Sequence, residues 1–100
     1  MSVKQKPLNQ QVIFIAGATS AIGLATVMMA VAQGAKVFMV ARHENELQKI
    51  QDEMRIKNYA TAYALADLGE VDQVQYAADV CLSTFGTIDT WINNDEGGVM

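Results

Sequence analysis

The residues best suited to chemistry form a short segment with a glycine at each end, between Gly17 and Gly23. Gly17 can leave a strand in a tight turn, and Gly23 has no side chain where a helix and a strand approach closely. Free backbone N–H groups and the dipole at a helix start favour a diphosphate, and the hydroxyls of Thr19 and Ser20 can donate to its oxygens. Two glycines also occur in strand–helix turns that bind no ligand. The pattern therefore predicts nucleotide binding only where a buried strand precedes it and a helix follows it.

A second candidate site follows the next apolar run, where Arg42 comes directly after Ala41. An acidic residue at this point hydrogen-bonds the adenine ribose 2′-OH of NAD, whereas an arginine accommodates the 2′-phosphate of NADP. Since Ala41 stands where the acid would be and Arg42 is a charged, planar fork, the sequence predicts NADP(H), with NAD less favoured. Glu44 is the competing acid, although an acid in the first turn of a helix also complements its dipole. Arg42 could equally be a solvated residue at a strand end.

The elements that must position these residues alternate between apolar runs and helical patterns. The predicted strands cover residues 12–16, 36–41, 60–66 and 88–93, and the predicted helices cover residues 21–33, 43–57 and 70–85. Such alternation predicts an α/β fold of three layers, with helices on both faces of a parallel, Rossmann-like sheet. Right-handed crossovers favour the strand order 3-2-1-4, with the sheet cut off after its fourth strand.

Local signals mark the helix ends. Gly34 and Gly86 are expected to end the first and third helices, and His43 with Glu46 is a weak variant of a capping box at the start of the second. We divide the chain into a polar, frayed lead-in over residues 1–11 and a partial dinucleotide-binding domain over residues 12–100.

These motifs together resemble the short-chain dehydrogenase/reductase family, in order and with compatible spacing from Val12 to Asn94. The family's three fingerprint glycines fall on Gly17, Ala21 and Gly23, and Asp67 looks like its adenine-contacting aspartate. The segment from Phe85 to Asn94 looks like the approach to the family's Asn-Asn-Ala-Gly motif. The resemblance implies a cofactor site made of Gly17, Thr19, Ser20, Ala21, Ile22, Gly23, Arg42, Asp67, Leu68, Asn93 and Asn94.

Asp67 also fits a simpler role. A turn between a strand and a helix often contains an aspartate that bonds the backbone, whatever the ligand. Both interpretations stay open from sequence alone.

The sequence departs from the family pattern at three places. Ala21 replaces a glycine whose bare backbone approaches the diphosphate, and Asp95 with Glu96 stands where alanine and glycine follow the asparagines. Their charges disfavour a dinucleotide unless they turn away. The family's catalytic Tyr-x-x-x-Lys pair is absent, because Tyr63, Asp67 and Val80 come four residues after the three tyrosines.

The resemblance therefore implies the NADP(H)-binding first part of an oxidoreductase that transfers hydride between a nicotinamide and a carbonyl or alcohol, inactive alone. The alternative is a non-catalytic nucleotide-binding or interaction module. A phosphate-loop nucleotidase is disfavoured because no Lys-Ser/Thr pair follows the glycine turn. No catalytic residue, no metal site and no particular substrate is predicted, and self-association through the open sheet edge is the expected protein contact.

Bulk properties limit the partners. The net charge of −4 and the lack of a basic run disfavour nucleic acid. No charged residue occurs between Val12 and Gly34, a length that imitates a membrane span, but the glycines and hydroxyls in its middle favour a soluble strand, turn and helix. The single cysteine, Cys81, excludes an internal disulfide and predicts a reducing, cytoplasmic compartment.

Overall fold

The computed structural model describes residues 6–94, in which strands and helices alternate after a single 3-10 turn at Leu8–Gln10. The strands are β1 (Val12–Ala16), β2 (Lys36–Ala41), β3 (Thr61–Leu65) and β4 (Thr90–Asn93), and the helices are α1 (Ala21–Ala32), α2 (Glu44–Ile56) and α3 (Val71–Phe85). Each predicted element is present, and its ends differ from the prediction by two residues at most.

The four strands form a parallel sheet in the order β3-β2-β1-β4, which confirms the predicted α/β architecture. The helices α1 and α2 connect neighbouring strands, whereas α3 spans from the β3 edge to the β4 edge. A row of aromatic rings marks the register, since Phe14 pairs with Phe38 on one side and with Trp91 on the other. The ring of Phe14 stacks on both neighbours, with centroids 5.8 Å and 3.9 Å away.

Two apolar cores explain why β1 and β2 are buried along almost their whole length. One core lies between the sheet and the pair α1 and α2, and the other lies between the sheet and α3. Alternate residues of each strand enter opposite cores, as expected for a sheet covered on both faces. The largest fully buried side chains are Phe14, Phe38, Ile15, Met39, Leu47 and Met54.

The uncharged stretch that imitates a membrane span is divided between β1, the glycine turn and α1. Within the described part of the chain, no helix has the length and apolar character needed to cross a membrane. The long uncharged run therefore reflects a strand buried on both faces, followed by a helix that has one face on the core.

All three described helices are followed by a residue in the left-handed conformation. After α3 this residue is Gly86 (φ +84°), which donates to the Leu82 carbonyl at 2.8 Å, as predicted for a glycine cap. After α1, Gly34 (φ +89°) donates to the Val31 carbonyl, as predicted for a glycine cap. After α2, Asn58 (φ +63°) donates in the same way to the Arg55 carbonyl. Asparagine tolerates this conformation better than most residues, so it can replace glycine here.

The predicted capping box at the start of α2 is wrong. His43 is the N-cap residue, but its side chain makes no capping hydrogen bond. The acids Glu44 and Glu46 in the first turn instead complement the helix dipole.

Cys81 lies on the face of α3 that packs on the core, and it is fully buried. Burial raises the pKa of its thiol to about 11, because a thiolate would lose its hydration. The thiol therefore stays protonated near neutral pH and acts as a packing group.

Residues 6–11 differ from the frayed lead-in that we expected, since they are bonded to the start of β4. Lys6 forms an ion pair of 2.9 Å with Asp89, and Gln11 accepts a hydrogen bond of 2.6 Å from Thr90 Oγ1. Asp89 also accepts from the backbone N–H of Val12, at 2.8 Å. These bonds connect the beginning of β1 with the beginning of the edge strand β4.

We expect Asp89 to make stability depend on pH in the acid range. The Val12 N–H, and after it Lys6, lowers the pKa of the Asp89 carboxyl below its ordinary value. The stabilisation is therefore complete above the unfolded carboxyl pKa, about 3.9, and is lost as pH falls through the lower folded value. In Asp89→Asn the melting temperature should be lower at pH 7 and should fall less steeply on acidification, measured by circular dichroism.

The matched control is Asp79→Asn, because the Asp79 carboxylate is exposed on α3 and accepts a hydrogen bond only from the nearby Gln75 among described residues. It should melt with the wild-type dependence on pH. An Asp89→Asn curve parallel to the wild-type curve would show that this cluster does not couple folding to protons.

Candidate functional site

A cavity of about 300 Å³ opens at the carboxyl ends of the parallel strands. Residues at or just after the end of each strand line its wall, because the loops that follow parallel strands meet at one edge of the sheet. The volume is at the lower end of the range for small-molecule sites, roughly 300–1,000 Å³. The lining residues are Gly17, Thr19, Ser20, Ala41, Arg42, His43, Asp67, Leu68, Gly69 and Asn94.

The glycine turn forms the floor of this cavity. Gly17 adopts φ +81°, a conformation that glycine tolerates far better than other residues, and donates its N–H to the Val40 carbonyl at 2.8 Å. The chain then reverses within three residues, since the N–H of Ser20 donates back to the Gly17 carbonyl at 3.2 Å. The tight turn that we expected at Gly17 is present, with the start of α1 directly behind it.

Gly23 is required for a different reason from the one inferred from sequence. We expected close approach of a helix and a strand, but a Cβ here would collide with the carbonyl oxygen of Gly17 within the turn itself. It would also lie only 2.8 Å from Ser20 Oγ. The bare backbone of Gly23 therefore allows the turn to fold against the first turn of α1.

Ser20 caps α1, which is not the role that the sequence suggested for its hydroxyl. Its Oγ donates to the Gly17 carbonyl at 2.8 Å and accepts from the Gly23 N–H at 2.9 Å. The residue is buried, and its Oγ also lies 3.4 Å from the Asn94 carbonyl oxygen, a second and longer contact for the same proton. Both Ser20 and Thr19 line the cavity, and Thr19 makes no such capping bond, so donation from either hydroxyl to a phosphate stays a prediction.

Four residues of the predicted site do not line the cavity, and two of them, Ala21 and Asn93, directly adjoin residues that do. Ala21 and Ile22 lie exposed on the first turn of α1, and 71% of Ile22 is accessible. Gly23 lies behind the turn, and Asn93 is paired with Ala16 at the end of β4. The residues that sequence reasoning left out of the site are Ala41, His43 and Gly69, which lie beside predicted members.

The loop after β2 brings a positive group to the cavity. Arg42 is exposed and lines the wall with Ala41 and His43, while the competing acid Glu44 does not line it. Among residues 6–94, neither ion pair involves Arg42. Asp95 and Glu96, whose charges we expected to oppose a dinucleotide, lie outside the described residues.

The loop after β3 presents Asp67 and Leu68 to the cavity. Asp67 Oδ1 accepts from the Gly69 N–H at 2.9 Å, so the turn role that the sequence left open is present. Asp67 also lines the cavity, so its role in the turn is compatible with contact to a ligand there.

Asn94 closes the cavity on the β4 side. Its N–H donates to the Ala16 carbonyl at 2.8 Å, which extends the pairing of β1 and β4 by one residue. The Asn94 Nδ2 atom is buried and has no hydrogen-bond partner within residues 6–94. An unsatisfied buried amide costs about 1–3 kcal/mol, so a polar group entering the cavity would relieve it.

The residues present therefore fit a phosphate-containing ligand with a polar edge. The start of α1 offers backbone N–H groups and a favourable dipole, and Arg42 offers a second positive group. Asn94 also lines the cavity, and its buried Nδ2, unpartnered within residues 6–94, offers a donor. In a nicotinamide dinucleotide, the diphosphate would suit the start of α1 and a phosphate on the ribose would suit Arg42. A hydrogen-bond acceptor elsewhere on the cofactor would suit the Asn94 amide.

Comparisons with known proteins agree with this geometry. The sequence profile of the short chain dehydrogenase family matches residues 11–97. The Bacillus subtilis (strain 168) protein named uncharacterized oxidoreductase YxnA is 45% identical over 92% of this chain, which spans 26% of that relative. Across the curated relatives compared, the chain spans between 26% and 38% of their length.

Solved structures with bound cofactors have a similar fold. The NADPH-bound short chain oxidoreductase from Pseudomonas aeruginosa PAO1, described as containing an atypical catalytic center, has a TM-score of 0.84 and is 28% identical, and the match covers 90% of this chain and 36% of that one. A short chain dehydrogenase/reductase from Burkholderia phymatum in complex with NAD has a TM-score of 0.79 and is 26% identical, with coverage of 84% and 30%.

Proposed function

The chain belongs to the short-chain dehydrogenase family, and from this premise we propose that it is the NADP(H)-binding N-terminal part of an oxidoreductase. The bound nicotinamide would transfer hydride to or from a carbonyl or alcohol substrate. The chain's own residues would hold the adenine and diphosphate portion of that cofactor.

One observation carries this proposal: residues that follow all four strands line a single cavity at the start of α1. In open parallel sheets, ligands bind outside the carboxyl ends of the strands where the connection changes direction. β1 lies at that point, between β2 and β4, and the glycine turn follows it directly. The first-turn N–H groups of α1 would then receive the diphosphate.

Arg42 supports the choice of NADP over NAD. It lies on the cavity wall beside Ala41, and an alanine at that position cannot accept a hydrogen bond from a ribose 2′-OH. The guanidinium can form two parallel, charge-assisted hydrogen bonds to a phosphate. The Pseudomonas neighbour binds NADPH and the Burkholderia neighbour binds NAD, so the fold accommodates both cofactors and Arg42 would decide between them.

The chemical step would need groups that these 100 residues do not contain. No tyrosine of the sequence is followed four residues later by lysine, the pair with which the family moves the substrate proton. We therefore propose binding without turnover for the chain on its own. A cytoplasmic location stays a prediction from the single cysteine.

Titration with NADPH and with NADH, followed by the fluorescence of the reduced nicotinamide, tests this proposal. We expect saturable binding with NADPH preferred, and no oxidation of either cofactor when aldehydes and ketones are added. Adenosine serves as the control competitor, because it lacks the diphosphate and the 2′-phosphate of NADPH and should displace it poorly. Absence of NADPH binding would refute the proposal, and steady turnover would refute the claim that the chain is inactive alone.

A second candidate function, a nucleotide-binding or interaction module, is favoured by the exposed edge of β4. In the described sheet β4 has a strand on one side only, carries no charged residue, and leaves 46% of Trp91 accessible. Such an edge can pair with another chain. Sedimentation equilibrium tests the interaction role of this edge: a stable dimer would support it, and a monomer at every concentration would contradict it.

A further inference from the structure

Hydrogen bonds occupy three of the four polar atoms of Asp67. Its carbonyl accepts from the Glu70 N–H at 2.9 Å, and its Oδ1 accepts from the Gly69 N–H at 2.9 Å. Its own N–H donates to Gln73 Oε1 at 2.7 Å. Among these bonds, Oδ2 is the one polar atom of Asp67 left without a partner within residues 6–94.

Gln73 makes the one bond in this set that comes from a side chain outside the loop. It is the third residue of α3, and its side chain reaches back to the strand end rather than bonding within its own helix. About one and two turns further along, Ala77 and Cys81 anchor the same helix in the core. The bond therefore fastens the loop on the cavity wall to a rigidly packed helix.

The orientation of the Gln73 amide is determined by its partner. A backbone N–H can only donate, so the atom that receives it must be the oxygen of Gln73. Gln73 itself is exposed, and so is the bond it makes to Asp67. Its replacement therefore leaves no cavity in the core and no buried group unpaired.

We propose that Gln73 is a positioning residue that aims Asp67 Oδ2 at the exocyclic amine of adenine. This inference rests on the proposed function, since it concerns the adenine end of the same cofactor. The N–H and carbonyl of Asp67 are fixed and Oδ1 is held by Gly69, so Oδ2 is the carboxylate oxygen left to accept from a ligand in the cavity that Asp67 lines. A carboxylate oxygen accepts a hydrogen bond from an amine, and it repels the carbonyl oxygen that replaces the amine in hypoxanthine.

The test compares binding of NADPH with binding of its hypoxanthine analogue, which differs only at that position of the base. The wild-type chain should prefer NADPH by about tenfold, the size expected for one hydrogen bond to a charged acceptor. Gln73→Met keeps the length of the side chain without the acceptor, and its preference should fall to about twofold or less. Gln73→Glu keeps an acceptor oxygen at the same position and should restore the preference.

Gln75→Ala is the matched control, because Gln75 is an exposed glutamine two residues along α3 whose side chain bonds, within residues 6–94, only to Asp79 on its own helix. It should show the wild-type preference. A purely structural role for Gln73 would change the affinities for both dinucleotides equally and leave their ratio intact, so the ratio in Gln73→Met separates the two roles.

The outcomes divide clearly. If the wild-type chain prefers NADPH and Gln73→Met keeps that preference, or if the wild-type chain binds both dinucleotides equally, the positioning role is wrong while the cofactor site stands. If the wild-type chain binds neither dinucleotide, the proposed function fails and this inference fails with it.

Discussion

Replacing Gly23 with alanine is expected to remove NADPH binding and to destabilise the chain. The new Cβ would collide with the Gly17 carbonyl oxygen and crowd Ser20 Oγ, so the turn could not keep its present shape. Backbone atoms cannot move aside as a flexible side chain can, and overpacking of this kind costs about 1–3 kcal/mol. Loss of two charge-assisted bonds to the diphosphate corresponds to about a hundredfold or greater loss of affinity.

Thermal melting and NADPH titration of Gly23→Ala measure the two effects separately. Ala25→Gly is the control, because Ala25 is exposed on the same helix and its replacement lowers helix stability by about 1 kcal/mol without touching the turn. That variant should be destabilised to a similar degree and still bind NADPH. Wild-type affinity in Gly23→Ala would mean that the turn does not hold the diphosphate.

Replacing Arg42 with alanine should abolish the discrimination between the two cofactors. We expect NADPH to bind about 30- to 100-fold more weakly, the equivalent of one lost bidentate contact between a guanidinium and a phosphate. The affinity for NADH should stay the same, since NADH has no 2′-phosphate. Arg42→Lys should show an intermediate loss, because an ammonium supplies the charge without the planar fork.

The control for this experiment is Arg55→Ala. Arg55 is an exposed arginine in the last turn of α2, far in sequence from the cavity lining, and its nearest acid is Asp52 at 3.9 Å. It changes the net charge by the same amount and should leave both affinities at their wild-type values. Equal losses for NADPH and NADH in Arg42→Ala would show a general electrostatic effect and would contradict recognition of the 2′-phosphate.

The fold could be predicted from sequence because its signals are local and agree with one another. The run from Val12 to Ala16 is wholly apolar and mostly β-branched, which is typical of a strand covered on both faces. Gly34 ends α1 for the reason that its position suggested. The strand order followed from the alternation of elements and from the handedness of crossovers, so no long-range contact had to be known.

Predictions that depended on a side chain's direction were less successful. The sequence did not predict that the Ser20 hydroxyl caps α1, which it does because the Gly23 N–H and the Gly17 carbonyl both lie within its reach. The side chain of His43 was expected to take part in a capping box, but His43 occupies the N-cap position of α2 without a side-chain hydrogen bond. A short polar side chain at a turn has several partners of similar energy, and the backbone geometry selects among them.

Some features gave no signal in the sequence at all. The bond from Gln73 to Asp67 joins residues on different elements, and a glutamine on an exposed helix face is usually only solvated. The bonds from residues 6–11 to Asp89 and Thr90 join opposite ends of the described chain. The pairing of β1 with β4 brings those residues together.

The amino-acid sequence by itself determined which segments become strands and helices and at which edge of the sheet their loops must meet. It could do so because apolar periodicity and turn residues act within a few neighbouring positions. Only the tertiary structure decided which side chains face the cavity, which carbonyl makes Gly23 indispensable and which helix holds Asp67. Those outcomes depend on distances between particular atoms, and the geometry of the turns and the packing of the sheet and its helices set these distances.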